Sequence, residues 1–267
     1  MFMVENLKTP ALSKMELITE KIATPSPTGS VHRQRLQLVL TENLRTCTST
    51  IICGRAGTGK TVLATDFADR CGRAVAWYKV DAPDGELSIF FQYLLASIHQ
   101  KRSGLRGRTV LPMLCDAQPE RMPFLAEALV YELERATGPQ LLIVIEDLHL
   151  VCDAEWLVPF FRRLLPLLPT DVHMLITSRT LPPAPLWRMR SKQTLSVIDE
   201  ETLAFTREET VSLFEKYGLT REQANISFDH SHGRAAALSN LAASLRFAEE
   251  ESEGSIIFNV PSPAEAV

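Results

Sequence analysis

The sequence has no long apolar run. Its purest one, Leu141–Ile145, covers five residues, far short of the roughly 20 that a membrane-spanning helix needs. No basic segment leads into an apolar stretch near the N-terminus, so no secretory signal is read there. The expectation is a cytoplasmic protein without membrane contact. Cysteine is sparse and odd in number (Cys47, Cys53, Cys71, Cys115, Cys152), with no C-x-x-C spacing. That argues against a disulfide framework and for free thiols in a reducing compartment. The six histidines do not pair with cysteines at ligand spacing, which argues against a zinc site. Neither sign of charge dominates: 28 Lys and Arg against 32 Asp and Glu leave a net −4, unlike a nucleic-acid coat or a polybasic membrane binder. What is there is ordinary folded chain, 45% hydrophobic and 22% charged over 267 residues. This is room for one large domain, or one domain with a small partner.

Read in order, residues 1–30 form an N-terminal segment. Met15–Ile22 suggests a short helix, and Pro25-Ser-Pro27-Thr-Gly29-Ser breaks it. From residue 31 to 202, strand-like runs (Ser49–Cys53, Ala74–Val80, Leu141–Ile145, Val172–Thr177, Thr194–Ile198) alternate with helical patterns. That alternation predicts an α/β fold of βαβ units, a three-layer sandwich around a mostly parallel five-stranded sheet. Residues 101–119 read as a loop. After residue 203 only helices are expected. Thr206-Arg-Glu-Glu209 and Thr220-Arg-Glu-Gln223 are capping boxes, and Gly233 precedes a third helix over Ala235–Phe247. The expected divisions are an α/β domain at 31–202, a small helical domain at 203–248 and an acidic, flexible tail at 249–267.

Gly54-Arg55-Ala56-Gly57-Thr58-Gly59-Lys60-Thr61 matches G-x-x-x-x-G-K-[ST] between a strand and a helix. Glycines let successive backbone N–H groups turn inward on a polyphosphate, and the helix N-terminus adds its dipole. Lys60 is expected on the β/γ-phosphates and the Thr61 hydroxyl on Mg²⁺. Leu141-Leu-Ile-Val-Ile-Glu146-Asp147 ends the most apolar strand in two acids, at the strand end where ligands of open α/β sheets gather. One acid would hold Mg²⁺ and the other would orient the attacking water; the pattern does not say which. Arg179 ends the fourth strand and is a candidate sensor of the γ-phosphate. His149 reads as a surface or outer histidine, and Cys53 as a small buried strand residue.

The ordered motifs resemble those of the STAND signal-transduction ATPases, particularly the large LuxR-type bacterial activators related to the maltose regulator. The carriers are Val31-His-Arg33-Gln-Arg35-Leu36, the P-loop, Ala76-Trp77-Tyr78-Lys-Val-Asp81, Ile145-Glu-Asp-Leu-His149-Leu, Thr177-Ser-Arg179 with Leu181-Pro182, and Leu203-Ala-Phe205-Thr206. The resemblance covers about residues 22–245. It implies an ATP/ADP switch with slow hydrolysis, in which nucleotide state controls self-association and effector output; a second copy or a related regulator chain is the expected partner. Lys60 and Thr61 are then phosphate and Mg²⁺ ligands, Glu146 and Asp147 the Walker B acids, and Arg179 the first sensor. Val31 and Arg33 fall where the family flanks the adenine. Many members have two aspartates where this chain has Glu146-Asp147, and a Gly-x-Pro where it has Gly233-Arg234-Ala235. The chain stops where a winged helix, a sensor array and a DNA-reading helix-turn-helix would follow, so a switch without its output is expected.

Two other classes compete with the switch ATPase: a nucleotide-stabilised interaction module with little turnover, and a P-loop kinase. No arginine-rich lid supports the kinase. The basic stretches Lys101, Arg102, Arg106, Arg108 and Arg188, Arg190, Lys192 read as solvated loops, since no aromatic residue for stacking is interleaved among them.

Overall fold

The computed structural model describes residues 17–26, 31–115, 118–192 and 194–257. The expected helix start at Met15, the turn at 27–30 and the end of the acidic tail lie outside the described residues.

Five strands, β1 (Ser49–Cys53), β2 (Ala74–Lys79), β3 (Leu141–Glu146), β4 (Val172–Ser178) and β5 (Leu195–Ile198), form one sheet. Its order is β2-β3-β4-β1-β5, and every pairing is parallel. The three central strands are buried along their whole length. This is the physical sense of their unbroken apolar runs: period-2 alternation sends both sets of side chains into a core. Ile51, Ile143, Ile145 and Ile176 face one layer, while Ile52, Leu142, Val144 and Leu175 face the other.

The first layer contains α3 (Leu87–His99), α4 (Val110–Leu114), α5 (Met122–Arg135) and α6 (Leu157–Leu167). Phe90, Phe91, Phe160 and Phe161 interlock there with Trp156; the Phe90–Trp156 centroids lie 4.8 Å apart and those of Phe91–Phe160 4.9 Å apart. The second layer is α1 (Gln34–Thr46) and α2 (Lys60–Arg70). The segment Thr19–Ile22 is a single 3-10 turn, held against β2 by Lys21, whose ammonium lies 2.6 Å from Asp84 under the Tyr93 ring.

The stretch expected as a loop at 101–119 contains α4. Its apolar Val110 and Leu111 find partners in α3 and α5, a tertiary reward that a five-residue helix cannot signal in sequence. Arg102, expected in a solvated loop, is 2% exposed. It bonds to Asp171 at 2.5 Å and to the Pro139 carbonyl at 2.7 Å.

Short helices α7 (Ala184–Trp187) and α8 (Glu200–Leu203) flank β5, followed by α9 (Arg207–Glu215), α10 (Arg221–Ser231) and α11 (Ala235–Ile257). Both capping boxes form. Packing changes hands between two neighbours: Leu203 joins the sheet's second layer, whereas Phe205 joins a third core of Val211, Leu213, Phe214, Leu219, Leu238 and Ala242. Val31, placed by sequence with the α/β part, packs into this third core. Helix α11 runs ten residues past Phe247. Glutamates are good helix formers and no proline intervenes before residue 261; an i,i+4 Arg246–Glu250 pair adds a little.

Candidate functional site

The P-loop leaves the C-terminal end of β1, between β4 and β5, and returns as α2. Gly57 and Gly59 take φ of +77° and +87°, backbone that only glycine adopts without strain. Inside the loop the Lys60 ammonium donates to the carbonyls of Gly54 at 2.6 Å and Arg55 at 2.8 Å. Burial pulls its pKa below the ordinary lysine value; nearby Asp147 opposes that shift and Arg179 adds to it.

Glu146 closes β3 and is held at both oxygens. Thr61 donates its hydroxyl to Oε1 at 2.6 Å, and Trp77 donates its indole N–H to Oε2 at 3.2 Å. Sheet pairing explains the reach: Trp77 lies opposite Val144, so the two-residue period brings Glu146 to the same face. Asp147 departs from the strand with φ +59° and donates its backbone N–H to Thr177 Oγ1 at 3.0 Å. The two acids therefore occupy different places: Glu146 beside Thr61, Asp147 turned towards Lys60, Arg179 and His149. Arg179 is exposed at the end of β4.

Of the two places read for His149, surface or outer, the structure gives the second. Its side chain is 11% exposed, 3.7 Å from the Asp147 carboxylate, and neither ring nitrogen has a hydrogen-bond partner among the described residues. Burial lowers its pKa, Asp147 raises it, and Arg179 and Lys60 lower it further. The αL turn at Asp147, which sequence did not disclose, swings the histidine inward. Cys53 is buried as expected, and burial raises its thiol pKa.

On the other side of the loop, a cavity of about 270 Å³ opens beside Gly59. Gly59, Val62 and Asp66 line it from the α/β side, and Val31, Phe205, Tyr217, Ala235 and Ser239 from the helical side. Val31 and Arg33 both border it, but Arg33 is only 5% exposed. It bonds Glu209 at 2.9 Å and the Ala204 carbonyl at 2.9 Å, and stacks 4.1 Å above Phe205. Arg33 thus builds the wall of the cavity.

Sequence reasoning missed the ties between the P-loop and the segments that follow β5. Glu200 accepts the Arg55 backbone N–H at 2.9 Å and its guanidinium at 2.7 Å. Arg234 donates to the Ala56 carbonyl at 3.1 Å, and the Ala236 N–H to the Gly57 carbonyl at 2.9 Å. Gly233, at φ +77°, allows that approach: a Cβ there would lie 2.4 Å from the Phe205 carbonyl oxygen. Its glycine was the one available signal, because the partners lie far away in sequence.

The donor set suits nucleotide and Mg²⁺. A hydroxyl and a carboxylate meet at 2.6 Å at the start of α2, and the Lys60 ammonium lies inside the preceding loop. Mg²⁺ commonly takes one or two protein oxygens, completing its shell with phosphates and water. Among the described residues no cluster of three His, Cys, Asp or Glu that could hold a metal by itself occurs. None of their helices is long and apolar enough to cross a membrane.

The fold and site define a P-loop ATPase domain: residues 43–175 match the AAA domain family. More particularly, the chain is similar to the MalT transcriptional regulators. The chain is 30% identical over 235 residues to the HTH-type transcriptional regulator MalT of Yersinia enterocolitica, covering 86% of this chain and 25% of that protein. It is 30% identical over 202 residues to MalT of Cronobacter sakazakii, covering 73% and 22%. It thus spans about a quarter of the length of these curated relatives. Among solved structures, a signal transduction ATPase with numerous domains and a tetratricopeptide repeat sensor, from Pyrococcus horikoshii, superposes with a TM-score of 0.52. It is 16% identical and covers 79% of this chain and 29% of that one, a likeness of fold.

Proposed function

We propose that this chain is an ATP-binding, slowly hydrolysing switch of the transcription-regulator type, in which the nucleotide joins the α/β part to the helical region. One observation carries the reading: the cavity next to Gly59 is walled from both sides, by Gly59, Val62 and Asp66 and by Val31, Phe205, Tyr217, Ala235 and Ser239. A ligand seated there stabilises one arrangement of the two parts, and only differential contact of that kind can drive a switch. Cavity position supports the base and ribose lying against Val31 and Phe205, with Arg33 holding the wall. The phosphates then run along Gly54, Arg55, Ala56, Gly57, Thr58 and Gly59 to Lys60.

Thr61 and Glu146 would hold Mg²⁺, through the hydroxyl of the one and the carboxylate of the other. The ion would supply charge neutralisation across the β- and γ-phosphates. Asp147, free of Thr61 and near Lys60, is the acid suited to orient a water, and Arg179 the cation suited to read the γ-phosphate. The expected setting is the cytoplasm, and the expected partner a second copy or a related regulator chain.

A second reading, an interaction module with little turnover, is favoured by the ties from Glu200, Arg234 and Ala236 that brace the P-loop. One experiment separates the two. Thermal midpoints are measured with Mg·ATP and Mg·ADP while phosphate release is followed in the same samples. Ligand at 100 times its dissociation constant adds about 2.7 kcal/mol. A shift with slow release supports the switch, and a shift with background release supports the module. Lys60→Ala should lose both the shift and the release; wild-type affinity in that variant sinks both readings.

A further inference from the structure

At the opposite end of the sheet from the P-loop, the segment between α3 and α4 is built around a buried carboxylate. Glu132 of α5, 8% exposed, accepts the backbone N–H groups of Gly107 at 2.7 Å, Thr109 at 2.6 Å and Val110 at 3.2 Å. The Leu105 carbonyl lies 2.8 Å from His99 Nδ1. Gly107 takes φ +67°, and a Cβ there would meet Leu95 at 2.9 Å. The loop is therefore pinned through Leu105 and Gly107, both buried, while Arg106 and Arg108 between and beyond them are exposed.

These two arginines border a hollow of about 470 Å³ with Tyr131 and Arg135 of α5. Arg135 lies 5.3 Å over the half-exposed Tyr131 ring. Among the described residues none of the three guanidinium groups forms an ion pair with a carboxylate. The one acid in the wall, Glu132, has both oxygens committed to the loop backbone. Like charges gathered in one hollow repel, and an anion relieves that repulsion. Guanidinium forks match phosphate oxygens two at a time. The primary sequence holds no aromatic residue among these arginines; the fold supplies Tyr131.

We infer that this hollow is a second ligand site, for a small organic phosphate carrying two or more phosphate groups. Arg106, Arg108 and Arg135 hold the phosphates, and Tyr131 faces the remainder of the molecule. Its volume is that of a small-molecule pocket. Three guanidiniums in one hollow, on a chain of net charge −4, make no track for a long polyanion.

The test uses the full chain with Lys60→Ala, so that the P-loop is silenced, and tripolyphosphate as the probe in calorimetry at low salt. Binding should persist in that background and weaken as salt rises. Adding Arg106→Ala or Arg108→Ala should cost about tenfold in affinity each, as charge-assisted bonds do, with the thermal midpoint unchanged because both side chains are exposed. ADP as second probe sorts the ligand: if Tyr131→Ala weakens ADP but not tripolyphosphate, the ring carries a nucleoside, and equal effects point to a free polyphosphate. Absence of tripolyphosphate binding in Lys60→Ala, or equal affinity after both arginine changes, overturns the site. A single-stranded oligonucleotide that binds more tightly with each added nucleotide overturns the small-molecule assignment.

Discussion

Trp77 donates its indole N–H to Glu146 Oε2 at 3.2 Å across the β2–β3 pair, while Thr61 holds the other carboxylate oxygen at 2.6 Å. Were Thr61 to give its hydroxyl to Mg²⁺, as proposed, the indole would remain to keep the carboxylate aimed. Trp77→Phe preserves most of the packing of a 1%-exposed ring and removes only the donor. A buried oxygen left unpartnered costs about 1–3 kcal/mol, visible as a lower urea midpoint. Outer-shell partners of a metal ligand are worth about 10–100-fold in metal affinity. Titrating Mg²⁺ against the ADP-bound variant should therefore show weaker Mg²⁺ dependence, while the shift by ADP alone persists.

Arg33 and Glu209 join the α/β part to the helical region through a buried ion pair, with the ring of Phe205 beneath the guanidinium. Glu209 Oε1 already lacks a partner among the described residues. Arg33→Met should destabilise by about 1–3 kcal/mol, because it leaves the Glu209 carboxylate only the Thr206 N–H at 3.1 Å and the more exposed Arg35 at 3.5 Å. Hydrogen exchange should quicken over residues 205–245 before it quickens in the sheet. Arg33→Met with Glu209→Met should recover part of the loss.

Stability should fall with acid through His173. The ring is 2% exposed, with Nε2 at 3.1 Å from Thr50 Oγ1 and Nδ1 at 3.2 Å from the Cys47 carbonyl. Burial, reinforced by Arg73, lowers its pKa to about 4. The folded state binds this proton less readily than the unfolded chain, whose histidine titrates near 6.5. The contribution is complete above that pH and drains away as pH falls towards 4, reaching about 2 kcal/mol lost at pH 5. Urea midpoints between pH 7.5 and 5 check this, and His173→Gln should flatten the slope in that window.

Two glycines with similar φ should respond differently to alanine. At Gly72, φ +68°, a Cβ meets nothing within 4 Å, so Gly72→Ala should cost only the left-handed strain, about 1–2 kcal/mol. At Gly233, φ +77°, it lies 2.4 Å from the Phe205 carbonyl oxygen and 3.0 Å from that residue's nitrogen. Gly233→Ala should lose about 1–3 kcal/mol more through overpacking and weaken ADP binding, since the residue sets the approach of α11 to the P-loop. Equal thermal midpoints for the two variants would refute the close contact.

Much of this site was legible beforehand because its signals are local. Gly57 and Gly59 must supply positive φ, and Lys60 and Thr61 must follow them on a helix start. The run Leu141–Ile145 had to be a strand buried on both faces, which put Glu146 and Asp147 at its end. Capping at Thr206 and Thr220 was equally plain, since each box spans four residues. The short α4 and the buried Arg102 escaped, because each depends on a surface supplied by a distant segment.

By itself, then, the sequence determined the βαβ alternation, the phosphate loop and the acids at the strand end, features set by backbone sterics and two-residue periodicity. Only the tertiary structure decided that Arg33 serves Glu209, that Glu200 grips Arg55, and that Trp77 steadies Glu146. These partners lie 176, 145 and 69 residues apart. Separation along the chain carries no distance; the sheet order brings the partners together, and burial then makes each unpaired charge or dipole costly enough to select them.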